Sequence, residues 1–221
     1  MGQGAERRKG AKRRTVGRPT AAESAERIEK LLDIAAEVFL ENGFDGASVD
    51  EIARRANASK QTLYSRYPTK AELFSAVMKR RSEAGFAILS DVGHSDKSIR
   101  EVLETYANIL IFPLIDRDTL RFLRAIIATA ETFPDLAKSF WNMGPKRVYE
   151  MVPELLSDRM KKGELRRDDP VQAAYLFISM CTGRFWSQGL FGVRPRVTAP
   201  EVDEYIHSVV QSFLAMHAPT D

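Results

Sequence analysis

The chain has little of what metal sites, disulfide frameworks and membrane spans are built from. Of its 221 residues, one is cysteine and three are histidine. A lone cysteine, Cys181, excludes an internal disulfide and fits a reducing compartment. It lies in an apolar run, where a small core residue is the ordinary reading and a thiol beside a ligand the alternative. His94, His207 and His217 are far apart, and no His-Cys-carboxylate spacing suits a metal. A phosphate-cradling glycine loop and a nucleophile elbow are both missing. No enzyme activity, metal or cofactor is therefore expected. The longest run free of charged residues and histidine, Pro170 to Gly183, has 14 residues and includes Gln172, Ser179 and Thr182, short of the about 20 apolar residues a span requires. No apolar stretch follows the basic N-terminus to make a signal peptide, so a cytoplasmic location without membrane contact is expected. Strand patterns are absent as well. The 44% apolar residues recur at helical spacing instead, and the fold class expected is all-α.

What is present is concentrated between Ala47 and Phe74, ASVDEIARRANASKQTLYSRYPTKAELF. Ser48-Val49-Asp50-Glu51 has the form of a capping box, in which each end residue's side chain satisfies the other's backbone N–H, so a helix should begin at Val49. Val49, Ile52, Ala53 and Ala56 give it one apolar face, and Asn57 tolerates the left-handed backbone of a sharp turn. Ser59 caps a second short helix. In it Leu63 looks inward while Lys60, Gln61, Thr62 and Tyr64 face outward. Those types suit a DNA groove: Lys for guanine edges or phosphate, Gln for bidentate pairing with adenine, Thr and Tyr for methyl and hydroxyl contacts. Thr69 to Glu72 forms a second capping box just after Tyr67-Pro68, with Lys70 in the first turn of a third helix, where a helix N-terminus already attracts phosphate. Short helix, tight turn and outward polar helix together form a helix-turn-helix that reads double-stranded DNA.

At these residues the chain resembles the tetracycline-repressor (TetR) family of bacterial transcription factors. The family run A-G-V-S-x-G-T-L-Y-x-(H/Y)-F-x-(S/N)-K-x-x-L stands here as Ala56, Asn57, Ala58, Ser59, Lys60, Gln61, Thr62, Leu63, Tyr64, Ser65, Arg66, Tyr67, Pro68, Thr69, Lys70 and Leu73. Asn57 replaces the turn glycine, Gln61 a frequent small residue, and Arg66 an aromatic or histidine. These changes keep the fold and shift the base preference. The DNA-binding residues expected are Arg18, Ser48, Ser59, Lys60, Gln61, Thr62, Tyr64, Tyr67 and Lys70.

Charge is sorted along the chain. From Glu26 to Glu51 eight acidic residues face two basic ones; from Arg54 to Arg81 eight basic residues face only Glu72. The second stretch is expected to turn toward phosphate, although solvated surfaces carry such runs too. Residues 1–20 hold seven basic residues against Glu6, a net +6. With the whole chain at +3, the other 201 residues carry −3. Lacking apolar periodicity, the arm should be disordered without DNA. Gly17-Arg18-Pro19 resembles a minor-groove hook, with a merely solvated tail as the alternative.

Apolar residues at steps of three and four mark further helices. Ile28 to Leu40 end at Gly43. Leu73 to Met78 precede the break at Gly93-His94-Ser95-Asp96, and Ile99 to Leu110 run toward Pro113. A helix from Asp118 stops at Phe133-Pro134. Another starts at Gly144-Pro145, kinks at Pro153 and closes at Gly163. Asp169-Pro170 opens a helix apolar on nearly all sides, and Thr198-Ala199-Pro200-Glu201 is a third capping box opening the last one.

The organisation expected is a basic arm over 1–23, a helix-turn-helix domain over 24–70, a helical effector-binding and dimerisation domain over 71–217, and a tail over 218–221. The segment Arg124 to Pro145 resembles the sensor half of the AcrR and AefR subgroup of the same family. That resemblance implies a pocket for a small, often lipophilic molecule, and a homodimer paired through the last two helices on a pseudo-palindromic operator. Tyr106, Phe112, Trp141, Tyr149, Phe177, Cys181, Arg184 and Phe185 are the candidate effector contacts and would favour apolar or aromatic molecules; plain core packing is the alternative for each apolar one. Phe140 and Trp186 are weighed on the same footing. Arg184 has three readings: a pair with Glu131, an anionic effector group, or solvent. The function expected is a ligand-released transcriptional repressor acting on nucleoid DNA. Its rivals are a ligand-independent DNA-packaging protein and a small-molecule-binding domain whose head no longer reads an operator.

Overall fold

The computed structural model describes residues 21–193 and 197–219. The basic arm to residue 20, with Arg18, lies outside them. The described residues form α-helices joined by short turns, without strands. None of these helices is long and apolar enough to cross a membrane.

Helix α1 runs Ala21–Gly46 and is broken at Gly43, whose φ of +70° with ψ 179° is backbone that a side chain would strain. Helices α2 (Val49–Arg55) and α3 (Lys60–Arg66) follow, then the long α4 (Lys70–Gly93) and α5 (Ile99–Ile111), the latter opened by a complete Ser98–Glu101 capping box. After a 3-10 turn at Phe112–Leu114, α6 (Arg117–Thr129) begins one residue earlier than the sequence indicated, because Asp116 rather than a later residue accepts from the Thr119 N–H. Pro134–Met143 is a helix in its own right, α7, where the sequence reading placed only an interruption. Helix α8 (Pro145–Lys161) continues through Pro153, and Gly163 at φ +76° ends that segment as expected. Helices α9 (Pro170–Phe191) and α10 (Ala199–Met216) complete the chain, the latter with its capping box: Glu201 Oε2 accepts from the Thr198 N–H at 2.8 Å.

Two cores hold these rods together. The smaller gathers Leu32, Phe39, Phe44, Ile52, Leu63, Leu73, Phe74 and Val77 from α1 to α4, and is completed by Phe122 and Ile126 of α6 and Leu136 of α7. Its centre is aromatic: the Phe74 ring meets Phe39 edge-on at 4.9 Å, Phe44 at 5.3 Å and Phe122 at 5.4 Å. The larger core is made by α4, α5, α8, α9 and α10, joined by Leu120 and Leu123 of α6. Helix α6 therefore presents Phe122 and Ile126 to one core and Leu120 and Leu123 to the other, which is how positions two to four residues apart divide on a helix that lies between two layers.

On its C-terminal side α6 grips α9. Arg124 donates from Nε to the Leu190 carbonyl and from Nη2 to the Gly189 carbonyl, both at 3.0 Å. Both belong to the last turn of α9, where carbonyls run short of intrahelical donors; that of Gly189 also accepts from the Gly192 N–H at 3.2 Å.

Candidate DNA interface

The turn between α2 and α3 is made as the residue types dictate. Asn57 takes φ +48°, and the Ala58 N–H donates to the Ala53 carbonyl at 2.9 Å, which closes the turn. Ser59 caps α3, its hydroxyl accepting from the Thr62 N–H at 3.0 Å. Leu63 is 1% exposed and pins α3 to the smaller core. Lys60, Gln61, Thr62 and Tyr64 all face solvent, with Tyr64 45% exposed. Gln61 and Tyr64 thus stand on the outer side of a short helix whose inner side is fixed, the arrangement that lets side chains reach base edges in a major groove.

Several neighbours are already engaged. The Ser59 and Thr62 hydroxyls bond each other at 2.7 Å. Tyr67 ends α3 half-buried against the smaller core. Lys60 pairs with Asp50 of α2. Lys70 donates to the Asp45 and Ala47 carbonyls at 3.1 and 3.3 Å and lies 4.8 Å from the centre of the Phe44 ring, so its ammonium ties the start of α4 to the end of α1.

Two expectations need correction here. Ser48 is the N-cap of α2, in extended backbone, but its side chain accepts no capping hydrogen bond. The Glu51 carboxylate that should close the box is taken instead by Arg54, at 3.0 and 2.7 Å, and by Arg55 at 2.7 Å. Hydrogen bonds between two charged groups outcompete one to a neutral backbone N–H. The two guanidinium groups hold the Glu51 carboxyl down at about 2, and Ser48 is left exposed.

The second concerns charge. Sorting along the chain does not become an unpaired basic face. Arg55 also reaches Glu41 of α1 at 2.8 Å, Arg80 meets Glu29 and Asp33, and Arg81 meets Asp116 at 3.6 Å. The acidic helix thus neutralises the basic stretch by packing beside it. Of the eight basic residues from Arg54 to Arg81, only Arg66 and Lys79 have neither an ion pair nor a side-chain hydrogen bond among the described residues. Arg66, exposed at the end of α3, is a phosphate-contact candidate that the sequence reading left out of its site. Its only sequence signal is a cation where the family pattern has an aromatic or histidine.

The candidate effector residues fall into separate groups. Tyr106, Phe177, Cys181 and Phe185 are buried in the larger core. The Tyr106 hydroxyl donates to the Leu89 carbonyl at 3.0 Å, and burial pushes its phenol up to about 12. Phe177 packs edge-on against Phe213 at 5.1 Å and Phe185 against Tyr205 at 4.9 Å. Burial also raises the Cys181 thiol to about 12, which makes it inert rather than reactive. Trp141 stacks on Tyr149 at 5.8 Å, and Tyr149 meets Tyr175 at 5.1 Å, forming an aromatic strip across the outside of α7, α8 and α9. Phe112 is exposed at the 3-10 turn. Arg184 is exposed, with its guanidinium 5.4 Å from the centre of the Tyr205 ring. No ion pair joins it to Glu131 among the described residues, so of its three readings the internal pair falls. Two open surface clefts lie elsewhere, one between α5 and α10 lined by Glu104, Asn108, Asp203, Glu204, Ile206 and His207, the other along α8; no candidate lines either.

Known proteins match along most of this frame. Residues 31–77 match the description "Bacterial regulatory proteins, tetR family", and residues 101–219 match "AefR-like transcriptional repressor, C-terminal domain". The HTH-type transcriptional activator FasR of Mycolicibacterium smegmatis is 45% identical over 161 residues, which is 73% of this chain and 72% of that protein. A TetR-family regulator from Mesorhizobium loti superposes with a TM-score of 0.77 at 27% identity, over 88% of this chain and 98% of the other. The flavonoid-responsive regulator FrrA superposes with a TM-score of 0.70, also at 27% identity, over 89% and 100%. Joined to a helix-turn-helix with its outer face open, these matches place the chain in the TetR family, as a DNA-binding transcriptional regulator with an AefR-like C-terminal domain.

Proposed function

We propose that the protein is a homodimeric repressor that binds a pseudo-palindromic operator through α3 and leaves it when a small apolar or aromatic effector binds residues 71–217. The observation that carries this reading is the outer face of α3. Gln61 and Tyr64 stand exposed there while Leu63 locks the inner face. Lys60, Thr62 and the uncapped Ser48 border them. Ser59, Tyr67 and Lys70 shape the turn and the next helix, and Arg18 in the arm supplies a minor-groove contact. Residues 24–70 act as the reading head.

The dimer is supported by the outer face of α9. Val171, Tyr175, Leu176 and Trp186 are exposed, Tyr175 by 51% and Trp186 by 46%, on a helix whose other faces are buried. Large apolar side chains left exposed along one helix are what a twofold partner covers. Two heads related by that axis reach successive major-groove faces, so the operator repeats about one helical turn apart.

Release is supported by α6, which contributes to both cores. An effector that packs among Tyr106, Phe177, Cys181 and Phe185, or along Trp141, Tyr149 and Phe112, displaces α6 relative to α4 and changes the spacing of the heads. Only its differential affinity for the two spacings drives release, with coupling of about 1–3 kcal/mol. The flavonoid response in FrrA's name favours an aromatic effector class, and the AefR-like domain match favours repression over the activation in FasR's name. The protein acts inside the cell, on the nucleoid.

Selecting bound duplexes from a random DNA pool, with and without a panel of hydrophobic compounds, tests the whole reading. The expected result is a twofold-symmetric motif whose recovery falls when an apolar compound is present. Equal binding of all sequences points instead to a packaging protein, and ligand binding without DNA affinity points to a sensor that has lost its operator.

A further inference from the structure

Asp50, the second residue of α2, holds its carboxylate 2.5 Å from the ammonium of Lys60, the first residue of α3. Both side chains are more than half exposed, 58% and 59%, and Lys60 adjoins the exposed Gln61 in α3. Among the described residues no other ion pair joins α2 to α3; Arg54 and Arg55 are taken by Glu51 and Glu41. We propose that Asp50 is a specificity-determining residue that sequesters the Lys60 charge from DNA phosphate and so leaves binding to the base contacts that α3 makes in its groove. This inference rests on α3 being the DNA-reading helix.

An unpaired ammonium at the leading end of α3 would neutralise a phosphate of any sequence, and the counterion released would strengthen binding without reading a base. Paired with Asp50, Lys60 releases no such counterion in a loosely docked complex. Breaking an exposed pair is inexpensive, about a two- to fivefold factor in an equilibrium constant. On the operator Gln61 and Tyr64 supply the attraction while the pair stays closed. On non-operator DNA nothing offsets that factor, and there it discriminates against a genome's excess of competing sites.

The test uses the full chain with Asp50→Asn, alone and combined with Lys60→Gln. Binding to a selected operator duplex and to its scrambled counterpart is measured by fluorescence anisotropy across a salt series. For Asp50→Asn, affinity for the scrambled duplex should rise about two- to fivefold and the slope of log K against log salt should steepen by about 0.9. Operator affinity should rise by less, so the ratio between the duplexes falls. In the Lys60→Gln background the same substitution should leave scrambled-duplex binding unchanged. An equal gain on both duplexes, or no gain, overturns the proposal. A gain that persists without Lys60 also overturns it, because Asp50 would then act only by its own repulsion. A native protein that prefers neither duplex would instead overturn the assignment of α3. Asp50 also suits the first turn of α2, so Asp50→Ser, matched to native in thermal unfolding, must reproduce the fall in ratio.

Discussion

Replacing Lys70 with Met separates two roles that its position allows. The structure spends its ammonium on two backbone carbonyls, those of Asp45 at 3.1 Å and Ala47 at 3.3 Å, and on the face of the Phe44 ring at 4.8 Å. Methionine keeps the apolar stem and loses all three interactions. Hydrogen bonds from a charged donor contribute about 1.5–3 kcal/mol where well shielded, and a partly solvated cation over a ring about 0.5–1 kcal/mol. The site is half-buried and both hydrogen bonds are long, so a total loss of about 1–3 kcal/mol follows. For a chain of this size each kcal/mol moves the unfolding midpoint by about 2–4 °C. Thermal unfolding at matched protomer concentration should therefore show a fall of about 2–12 °C, since assembly otherwise shifts the midpoint by mass action. Operator affinity should fall as well, because the start of α4 is no longer fixed against α1. A lysine that only neutralised phosphate would leave the midpoint unchanged, weaken all duplexes alike and flatten the salt slope by about 0.9. An unchanged midpoint for Lys70→Met would refute the tethering role.

Gln61→Ala should relax base preference at one position of each half-site by about 1–3 kcal/mol; competition assays with single-base variants check this, and a uniform loss over all positions would show that Gln61 does not read a base. Gly189→Ala places a Cβ 2.9 Å from Leu120 Cδ2 and 3.0 Å from the Leu114 carbonyl oxygen. The leucine end can move and the backbone cannot, so a cost of about 1–3 kcal/mol is expected, seen as a lower urea midpoint with unchanged slope. Cys181, with its thiol raised to about 12, should resist a thiol reagent at pH 8 in the native protein and react at once in denaturant; rapid native labelling would contradict the packing of α9. The Glu51 carboxyl is held at about 2, below its ordinary 4.5. Its contribution to stability is therefore complete above the ordinary value and disappears as pH falls toward 2. Removing it with Glu51→Gln should flatten the acid limb of the pH–stability curve.

Much of this molecule was legible because its signals are local. Ser59, Asn57 and Leu63 fix a cap, a turn and an inward face within seven residues, and each behaves in the structure as its chemistry requires. The failures share a physical cause, the competition among charges for partners that sequence spacing cannot rank. Ser48 and Glu51 have capping-box spacing as good as that of Ser98 and Glu101. Only the second pair forms a box, because Arg54 and Arg55 lie one turn beyond Glu51 and bind it. The basic run that follows the acidic run of α1 reads in the sequence as turned toward phosphate or solvent, and spacing gives no sign that Arg55 and Arg80 meet carboxylates of α1 across helices packed side by side. Arg124 and the carbonyls it holds are more than sixty residues apart, and no periodicity marks that contact. The outer face of α9 is the reverse case. Apolar residues on nearly every side implied that the helix must be covered all round, and within one chain Val171, Tyr175, Leu176 and Trp186 remain exposed. The exposed face lies on the helix that α6 already grips through Arg124. In the proposed dimer, a change at that face would therefore have a direct mechanical route, through Arg124 and α6, to the smaller core that holds Leu63 of α3.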